Sequence, residues 1–309
     1  MVLFILKEIY ENKILWYLFY TLTLFYIFRI LNFIYKNFFR RKHNFRQRYG
    51  EGSWALVTGG AFGLGRSFVE ELAREGFNLI IASLEPLEIV KNSLDESLKN
   101  VKYHYIQIDF NKKNRISDYE EIFGKLTEQF DISILVNNVG VLRYSDSPNI
   151  KDDLMMVNVN VITMTSLTDI FIDYLSKRNK RSAIINVSSV ASYTYSTNFP
   201  VYSATKSYIS YVSMALAEMY ENNNIDVLVM KPIAFQSAMT DKKADGIWIL
   251  HPDQCVKGTL NDLGYERETN GHWVHKIQAF ILRSLPRSLF DPCLELIDSL
   301  GTPVTKKSD

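Results

Sequence analysis

From Trp54 onward the chain alternates short runs of Val, Ile and Leu with longer amphipathic segments. Strands that are apolar along their whole length are typical of parallel sheets covered on both faces, and the segments between them have helical periodicity. Because parallel strands need crossover connections, the pattern predicts an α/β fold built on a doubly wound parallel sheet. The predicted strands are "WALVT", "FNLIIAS", "YHYIQID", "ISILVNN", "AIINVSS" and "DVLVMK".

The first 48 residues have a different composition. No charge interrupts Ile14 to Phe28, and after Arg29 the apolar run continues to Lys36. A membrane helix needs about 20 predominantly apolar residues, and the run reaches this length if the Arg29 side chain extends toward the interface. No small-residue cleavage site of a signal peptide follows it. The sequence predicts a retained membrane anchor, with an interfacial helix or a buried hydrophobic hairpin as alternatives.

Basic residues follow the apolar run directly, in "KNFFRRKHNFRQR". The positive-inside rule then places the rest of the chain in the cytoplasm. Lys306 and Lys307 stand four and three places from the C-terminus, the arrangement of a dilysine retrieval signal of endoplasmic-reticulum membrane proteins. We therefore expect a protein of the endoplasmic reticulum membrane with a cytoplasmic folded domain.

Charge and cysteine content exclude some classes of function. The formal net charge is +1, so the chain lacks the basic field of nucleic-acid-binding proteins. Cys255 and Cys293 are far apart and form neither a metal-binding nor a redox spacing. Both are interpreted as ordinary, buried or partly buried thiols of a reducing compartment, and no metal site is expected.

Small and polar residues concentrate at the predicted strand ends. In doubly wound sheets ligands bind at the carboxyl ends of the strands, so these residues predict one functional rim. The glycine-rich turn after the first strand lets a pyrophosphate approach backbone N–H groups at a helix N-terminus. The rim comprises Thr58 with its glycines, Asp109, Asn137 to Gly140, Ser188, Ser189 and Pro232.

Four motifs occur in order: T-G-x-x-x-G-x-G from Thr58, then "NNVG", "NVSS" and "YSATK". Together they resemble the short-chain dehydrogenase/reductase family, and the resemblance extends from Trp54 to about Pro286. The fold of this family is Rossmann-like. The tail from Cys255 to Pro286 and the hydrophobic N-terminus resemble the branch of microsomal very-long-chain 3-oxoacyl-CoA reductases and 17β-hydroxysteroid dehydrogenases. Residues 1–48 are then the anchor and basic linker, and residues 49–309 the catalytic domain with an amphipathic tail.

Tyr202 and Lys206 are four residues apart, so a helix would place them on one face. The resemblance implies that Tyr202 is the proton donor for carbonyl reduction, and that Lys206 lowers the tyrosine pKa and binds the nicotinamide ribose. A positive charge about 4 Å from a phenol, at an effective dielectric of about 20, is worth roughly 4 kcal/mol, or about three pKa units. That shift would bring the phenol into the working range near neutral pH.

Two further catalytic positions each have a neighbour that competes for the role. Ser189 matches the family's serine that hydrogen-bonds the substrate oxygen, and Ser188 is the alternative, since adjacent strand residues face opposite sides. Asn160 matches the asparagine that holds a water in a proton relay with the lysine, and Asn158 is its alternative. The alternative for either asparagine is a purely structural role, in which its side chain caps or kinks the interior of a helix.

The resemblance implies that the cofactor contacts residues along the whole rim. Asp109 would face the adenine, although a solvated loop aspartate is the alternative, and Ser237 would contact the carboxamide. Ile233 replaces the more usual glycine after Pro232 and leaves the path of that loop open. The implied cofactor-binding residues are Thr58, Gly59, Gly63, Leu64, Gly65, Asp109, Asn137, Asn138, Gly140, Lys206, Pro232 and Ser237.

The second strand should indicate which dinucleotide binds. NAD-binding folds often end this strand with an acid, and NADP-binding folds place an arginine nearby, but this chain has Ser83 and Leu84. Since no acid stands there, and Arg66 at the first helix start can help with a phosphate, NADP(H) is favoured over NAD(H).

The expected activity is hydride transfer to a carbonyl, in the reduction of a long-chain 3-oxoacyl-CoA to the 3-hydroxyacyl-CoA during fatty acid elongation. A ketosteroid dehydrogenase is the alternative, and a retired membrane scaffold or lipid-binding protein is an alternative of another class. Lys242 and Lys243 would bind the phosphates of CoA. The apolar stripe from Trp273 to Leu285 would lie on a bilayer, cover an acyl tunnel, or pack against the body or a second subunit.

Overall fold

The structure is a computed structural model that describes residues 13–143, 149–236, 242–243, 249–300 and 302–303. Its contacts divide the chain into two compact units, Met1–Arg41 and Lys42–Asp309.

In the described part of the first unit, from residue 13 onward, a long helix, α1 (Lys13–Ile34), is followed by a π-helical turn, Tyr35–Phe39. None of the residues of α1 is buried, although the helix is predominantly apolar on every side. The segment Lys13–Phe39 has a mean hydropathy of 1.7 and is long and apolar enough to cross a membrane. A long helix that is apolar on every side is typical of a membrane span.

A parallel sheet of seven strands forms the centre of the second unit, in the order β3-β2-β1-β4-β5-β6-β8. This confirms the predicted doubly wound fold, and β8 is an additional edge strand of only two residues. The strands are β1 (Trp54–Thr58), β2 (Asn78–Ser83), β3 (Tyr103–Gln107), β4 (Ile132–Asn137), β5 (Ser182–Val187), β6 (Ile225–Met230) and β8 (Glu268–Thr269). A separate antiparallel pair joins β7 (Lys242–Lys243) to β9 (Thr302–Pro303).

Helices cover both faces of this sheet. In β1, Ala55 and Val57 enter one hydrophobic cluster while Leu56 enters the cluster on the opposite face, as expected of a strand buried on both sides. The helices are α2 (Phe45–Tyr49), α3 (Gly63–Arg74), α4 (Leu87–Leu98), α5 (Ile116–Phe123), α6 (Leu126–Gln129), α7 (Ile150–Val157), α8 (Thr163–Lys177), α9 (Pro200–Met219), α10 (Pro252–Asp262), α11 (Trp273–Ser284) and α12 (Arg287–Leu300).

The apolar periodicity of the sequence predicts one long helix from about Asp152 to Leu175, and the structure interrupts it. Between α7 and α8 lies a π-helical turn, Asn158–Ile162, which contains both candidate asparagines. Although α7 and α8 together are long and apolar enough to cross a membrane, half of their apolar window is buried. They therefore form a helix of the globular core.

The segment after the first unit is an integral part of the second. In α2, Phe45 and Tyr49 are 1% and 0% exposed and belong to the core cluster on one face of the sheet. The contacts divide the chain between Arg41 and Lys42, whereas the sequence suggests a division between residues 48 and 49. The short basic segment between these two points forms α2 and packs with the second unit.

Candidate active site

The glycine-rich turn joins β1 to the start of α3. Gly59 and Gly63 have φ angles of +67° and +56°. A Cβ atom on Gly65 would lie 2.0 Å from the carbonyl oxygen of Gly59, so only glycine fits this approach of helix to turn. Within the described part of the chain, no side chain caps the N-terminus of α3, whose first residues include Leu64. Those free N–H groups suit a pyrophosphate, so the residues present fit a dinucleotide cofactor.

Thr58 and Asn138 fix this turn to the end of β4. The Thr58 hydroxyl oxygen accepts hydrogen bonds from the backbone N–H groups of Asn138 and Val139, each at 3.0 Å. In return the Asn138 amide donates to the Thr58 carbonyl at 2.8 Å. Asn138 and Thr58 thus hold the ends of β1 and β4 together.

Asn137 lies in the interior rather than at the rim. Its side chain is 5% exposed and donates to the amide oxygen of Asn186 at 2.9 Å and to the Thr168 hydroxyl at 3.2 Å. These contacts connect β4 to β5 and α8. Asn137 therefore supports the strand ends from below.

Lys206, Asn160 and Gly140 converge at one point of the rim. The Lys206 ammonium donates to the Val187 carbonyl at 3.0 Å. A Cβ atom on Gly140 would lie 3.1 Å from Lys206 Nζ and 3.3 Å from Asn160 Oδ1. Since such contacts are tighter than ordinary ones, the missing side chain of Gly140 leaves room for the lysine and the asparagine to approach.

The side chain of Asn160 is buried and held on several sides. Its amide oxygen accepts from the Val141 N–H at 2.8 Å, and its amide nitrogen donates to the Val141 carbonyl at 3.0 Å. The same nitrogen donates to the Thr205 hydroxyl at 3.1 Å. Thr205 stands directly before Lys206, so Asn160 links the π-helical turn, the loop after β4 and α9.

Tyr202 and Lys206 lie on one face of α9, as their spacing predicts. Lys206 Nζ is 5.6 Å from the ring centroid of Tyr202. Tyr202 is half-buried and packs edge-on against Phe199, with ring centroids 5.8 Å apart. Burial lowers the pKa of Lys206 from 10.5 to about 8, because desolvation disfavours its charged form. The ammonium therefore remains mostly charged at neutral pH, next to the phenol.

The two candidate serines have different surroundings. Ser188 is 2% exposed, and its hydroxyl donates to the Lys206 carbonyl at 2.7 Å and contacts the Ser210 hydroxyl at 2.9 Å. Ser189 is half-buried at the start of a 3₁₀ turn and accepts the Ala191 N–H at 3.2 Å. Ser188 is thus used to attach β5 to α9, whereas Ser189 lies at the more open rim.

The remaining predicted residues occupy loops. Asp109 is half-buried and accepts the Asn111 N–H at 3.1 Å, so it caps a 3₁₀ turn after β3. The Pro232 carbonyl accepts the Val190 N–H at 3.1 Å and ties together the ends of β5 and β6. Ser237 lies outside the described residues, as do Lys306 and Lys307.

Sequence reasoning missed two residues near the rim. Thr205 contacts Asn160 through its side chain, and only its place beside Lys206 in the chain gives a hint of this. Glu85 bonds to the end of β2 although it stands two residues beyond the strand. Only Ser83 and Leu84 stand at the end of the strand in the sequence, and local pattern does not show that Glu85 folds back onto it.

A doubly wound sheet with a dinucleotide-type glycine turn and a paired tyrosine and lysine at its rim defines the class of NAD(P)-dependent oxidoreductases. Residues 53–248 match the model of the short chain dehydrogenase family. The chain belongs to this family and is an NAD(P)-dependent short-chain dehydrogenase/reductase.

Known proteins resemble the chain over most of its length. Hydroxysteroid dehydrogenase-like protein 1 of Gallus gallus is 32% identical over 78% of this chain and 73% of that protein. The very-long-chain 3-oxoacyl-CoA reductase of Homo sapiens is 28% identical over 78% of both chains. A solved 7β-hydroxysteroid dehydrogenase superposes with a TM-score of 0.69 at 21% identity, over 82% of this chain and 99% of that one. The last comparison concerns the fold alone.

Proposed function

We propose that the protein reduces the 3-oxo group of long-chain 3-oxoacyl-CoA to a 3-hydroxy group at the endoplasmic reticulum membrane, as a step of fatty acid elongation. The observation that carries the reductase assignment is the convergence of Lys206, Asn160 and Gly140 beside Tyr202. The acyl-CoA substrate is supported by the 28% identical human reductase.

Each residue has a proposed role in the proton transfer. The bound nicotinamide supplies the hydride. Tyr202 donates its phenolic proton to the substrate carbonyl oxygen, which Ser189 holds by a hydrogen bond. The positive charge of the Lys206 ammonium stabilises the resulting phenolate. The attraction between these two charges is stronger where water is excluded. Asn160 holds the loop after β4 and Thr205 in place around that ammonium.

The proton donor is tested by Tyr202→Phe. A positioned general acid contributes about 10²–10⁴-fold, so turnover should fall by that factor while cofactor binding persists. Tyr211→Phe is the matched control, because Tyr211 is 78% exposed on the same helix and should be dispensable. Near-normal turnover of the Tyr202 variant would exclude the assignment.

An exposed apolar face on α11 supports access from the bilayer. The expected stripe does not pack fully against the body: Ile277, Phe280 and Ile281 are 41%, 61% and 52% exposed. Their spacing places them on one side of the helix. Together with the apolar segment Lys13–Phe39, this face suits a substrate that arrives from a membrane.

Reduction of a ketosteroid is the second candidate, favoured by the 32% identical hydroxysteroid dehydrogenase-like protein. Intact Tyr202, Lys206, Asn160 and Ser189 weigh against the third interpretation, a retired scaffold, which predicts loss of these residues. Only a thioester of CoA carries phosphates, so cations near the site would discriminate between the two substrates. Lys242 and Lys243, in the described strand β7, are the proposed phosphate contacts.

We expect the detergent-solubilised protein to oxidise reduced nicotinamide with long-chain 3-oxoacyl-CoAs. Replacing Lys242 and Lys243 by serine should raise the apparent KM for thioesters, most strongly at low salt, where attraction between opposite charges is least screened. The KM for a ketosteroid should be unchanged, because a ketosteroid carries no phosphate. Turnover of ketosteroids without any thioester activity would make the second candidate the function. Equal changes for both substrates would reject the phosphate contact.

A further inference from the structure

A cavity lies between α9 and α11, and none of the proposed catalytic side chains lines it. Its volume of about 440 Å³ is within the usual range of ligand pockets. Ser210 and Met214 of α9 line it about two and three turns beyond Tyr202. We call it the flank cavity, and its wall includes Tyr193, Ser210, Met214, Lys231, Leu282 and Arg283.

Part of the wall of the flank cavity is apolar. Met214 contributes from α9 and Leu282 from α11, and Leu285 and Phe290 follow beyond α11. Leu282 and Phe290 are 2% and 3% exposed and belong to one hydrophobic cluster with Ile233. The core therefore holds this part of the wall in place. A hydrocarbon chain is the ligand surface that it favours, since the contact removes apolar area from water.

Two cations also line the flank cavity, beside the ring of Tyr193. Lys231 Nζ lies 5.0 Å from the centroid of this ring, and Arg283 Cζ lies 4.8 Å from it. Lys231 is 6% exposed, whereas the side chain of Arg283, in the last turn of α11, is 59% exposed. The arginine is therefore accessible to an anionic group, which its guanidinium can bind by paired hydrogen bonds.

The charges around the cavity do not cancel. Lys231 Nζ donates to the Glu268 carboxylate at 2.6 Å, and the Tyr193 hydroxyl donates to the same carboxylate at 3.2 Å. Arg283 Nη1 is 3.6 Å from it, too far for a hydrogen bond. Burial and the Glu268 charge raise the pKa of Tyr193 to about 12, so this phenol is neutral at pH 7. Two cations and one carboxylate leave a single excess positive charge.

The flank cavity adjoins the active site through shared elements. The Ser192 hydroxyl, which lines the cavity, donates to the Ser189 carbonyl at 2.6 Å. The Ser210 hydroxyl, on the other side of the cavity wall, contacts the Ser188 hydroxyl at 2.9 Å. A ligand in the cavity would therefore touch the turn and the helix that hold the active site without occupying that site.

We propose that the flank cavity binds a long-chain carboxylate, with its charge beside Arg283 and Lys231 and its chain against Met214 and Leu282. One excess positive charge matches a carboxylate, whereas a phosphate monoester carries about −1.5 to −2 at neutral pH. The proposal does not depend on the reductase assignment, because it concerns a different cavity and its test needs no turnover.

Photolabelling tests where the carboxylate binds. Decanoate with a diazirine in its chain is added to the full-length protein in detergent, the sample is irradiated, and labelled peptides are identified by mass spectrometry. Label should appear in segments 211–214 and 282–285. Unlabelled decanoate should prevent it, and decanol at the same concentration should not. Label confined to the peptide that contains Tyr202 would place the carboxylate in the active site and overturn the proposal.

Arg283→Gln tests the anionic contact. The concentration of unlabelled decanoate that halves the labelling gives its apparent Kd, which should rise about 10-fold, the order expected for one charge-assisted hydrogen bond. Arg267→Gln is the matched control, since Arg267 is 41% exposed, pairs with Glu221 and does not line the cavity. An unchanged Kd in the Arg283 variant, or an equal rise in the control, would contradict the proposal.

Glu268→Gln changes the charge in the opposite direction. It keeps an oxygen that can accept from Tyr193 but raises the excess charge of the cavity to two, so decanoate should bind more tightly and decyl phosphate should gain even more. In the wild-type protein decanoate should bind more tightly than decyl phosphate. The reverse order in the wild type would overturn the choice of a carboxylate, and an unchanged Kd in Glu268→Gln would overturn the charge argument.

Discussion

Lys206 is buried at a cost to the folded state. It is 3% exposed, and desolvation lowers the pKa of its ammonium to about 8 from an ordinary value of 10.5. Below pH 8 the lysine is charged in both states, but the charge is less favourable in the folded protein than in the unfolded chain. Its burial therefore lowers the free energy of unfolding at that pH. Such a residue is explained by chemistry at the rim rather than by stability.

Replacing Lys206 by methionine should separate these two effects. We expect activity to be lost, while the free energy of unfolding at pH 7 stays level or rises by about 1–3 kcal/mol, since a pKa depression of that size corresponds to about 3 kcal/mol. The advantage of the variant should shrink as pH rises from 8 to 10.5, because the wild-type lysine then loses its proton in the folded state first. Urea unfolding at pH 7 and pH 9.5 measures both values.

A loss of several kcal/mol in the methionine variant at pH 7 would contradict this account. It would mean that the hydrogen bond from Lys206 to the Val187 carbonyl contributes more than desolvation costs. Ser210→Ala is a suitable control for packing on the same face of α9, since Ser210 is buried and carries no charge.

Spacing along one helix or strand could be predicted at the level of single residues. Tyr202 and Lys206 lie together because four residues make about one helical turn. Ser188 and Ser189 lie just beyond β5 and have different hydrogen-bond partners, so only one of them is used to attach α9. Glu85 could not be predicted in this way. Its place depends on a hydrogen bond to Ser83 and on support from β3, which is a separate part of the chain.

At the scale of elements, the π-helical turn Asn158–Ile162 is the clearest departure from expectation. Apolar periodicity predicts a continuous helix, and one extra residue in a turn changes that periodicity too little to be seen. In the structure this turn carries Asn160 to its partners Val141 and Thr205. The kinked helix and the functional asparagine are therefore compatible interpretations of the same residue.

Helix α2 is attached to the sheet through one carboxylate. Asp226, at the start of β6, is 9% exposed and accepts hydrogen bonds from Arg48 at 2.7 and 2.9 Å and from the Tyr49 hydroxyl at 2.8 Å. Arg181 lies 2.9 Å from the same carboxylate. Burial alone would raise the pKa of Asp226, but the bonds from Arg48 and Tyr49 outweigh it and lower the pKa.

We expect Asp226→Asn to destabilise the protein by about 3 kcal/mol, because it leaves two arginines near the core without their counter-charge. Asp169→Asn, at an exposed position of α8, should have little effect. The difference between wild type and the Asp226 variant should vanish as pH falls through the lowered pKa, since the wild-type carboxylate is then protonated as well. Denaturant unfolding at pH 7 and below pH 3 gives both values, and equal stabilities at pH 7 would refute the role.

At the scale of the whole molecule, the sequence predicted the fold class and the succession of six strands along the chain, but not the contacts that attach the basic segment before Gly50 to the folded domain. The segment from Lys42 to Tyr49 is basic and reads as a linker. Its anchoring partner, Asp226, is 178 positions from Arg48, so no local pattern could reveal the ion pair. Sequence periodicity carries no information about which distant residue a short segment will contact.

Truncation tests this division of the molecule. A chain that begins at Lys42 retains α2 with its contacts to Asp226, so it should fold and bind a dinucleotide, and it should leave the membrane fraction. The full-length protein should remain with membranes through carbonate extraction, since the segment Lys13–Phe39 is long and apolar enough to span a bilayer.

A chain that begins at Glu51 should instead fold poorly. It loses Phe45 and Tyr49 from the core, each worth about 1.5–3 kcal/mol of burial, and it leaves Asp226 without Arg48. Since domains are stable by only about 5–15 kcal/mol, this combined loss should lower the melting temperature sharply and increase protease sensitivity. Equal melting temperatures for the chains from Lys42 and Glu51 would show that α2 is dispensable. Persistent membrane binding of the chain from Lys42 would instead assign membrane attachment to the exposed face of α11.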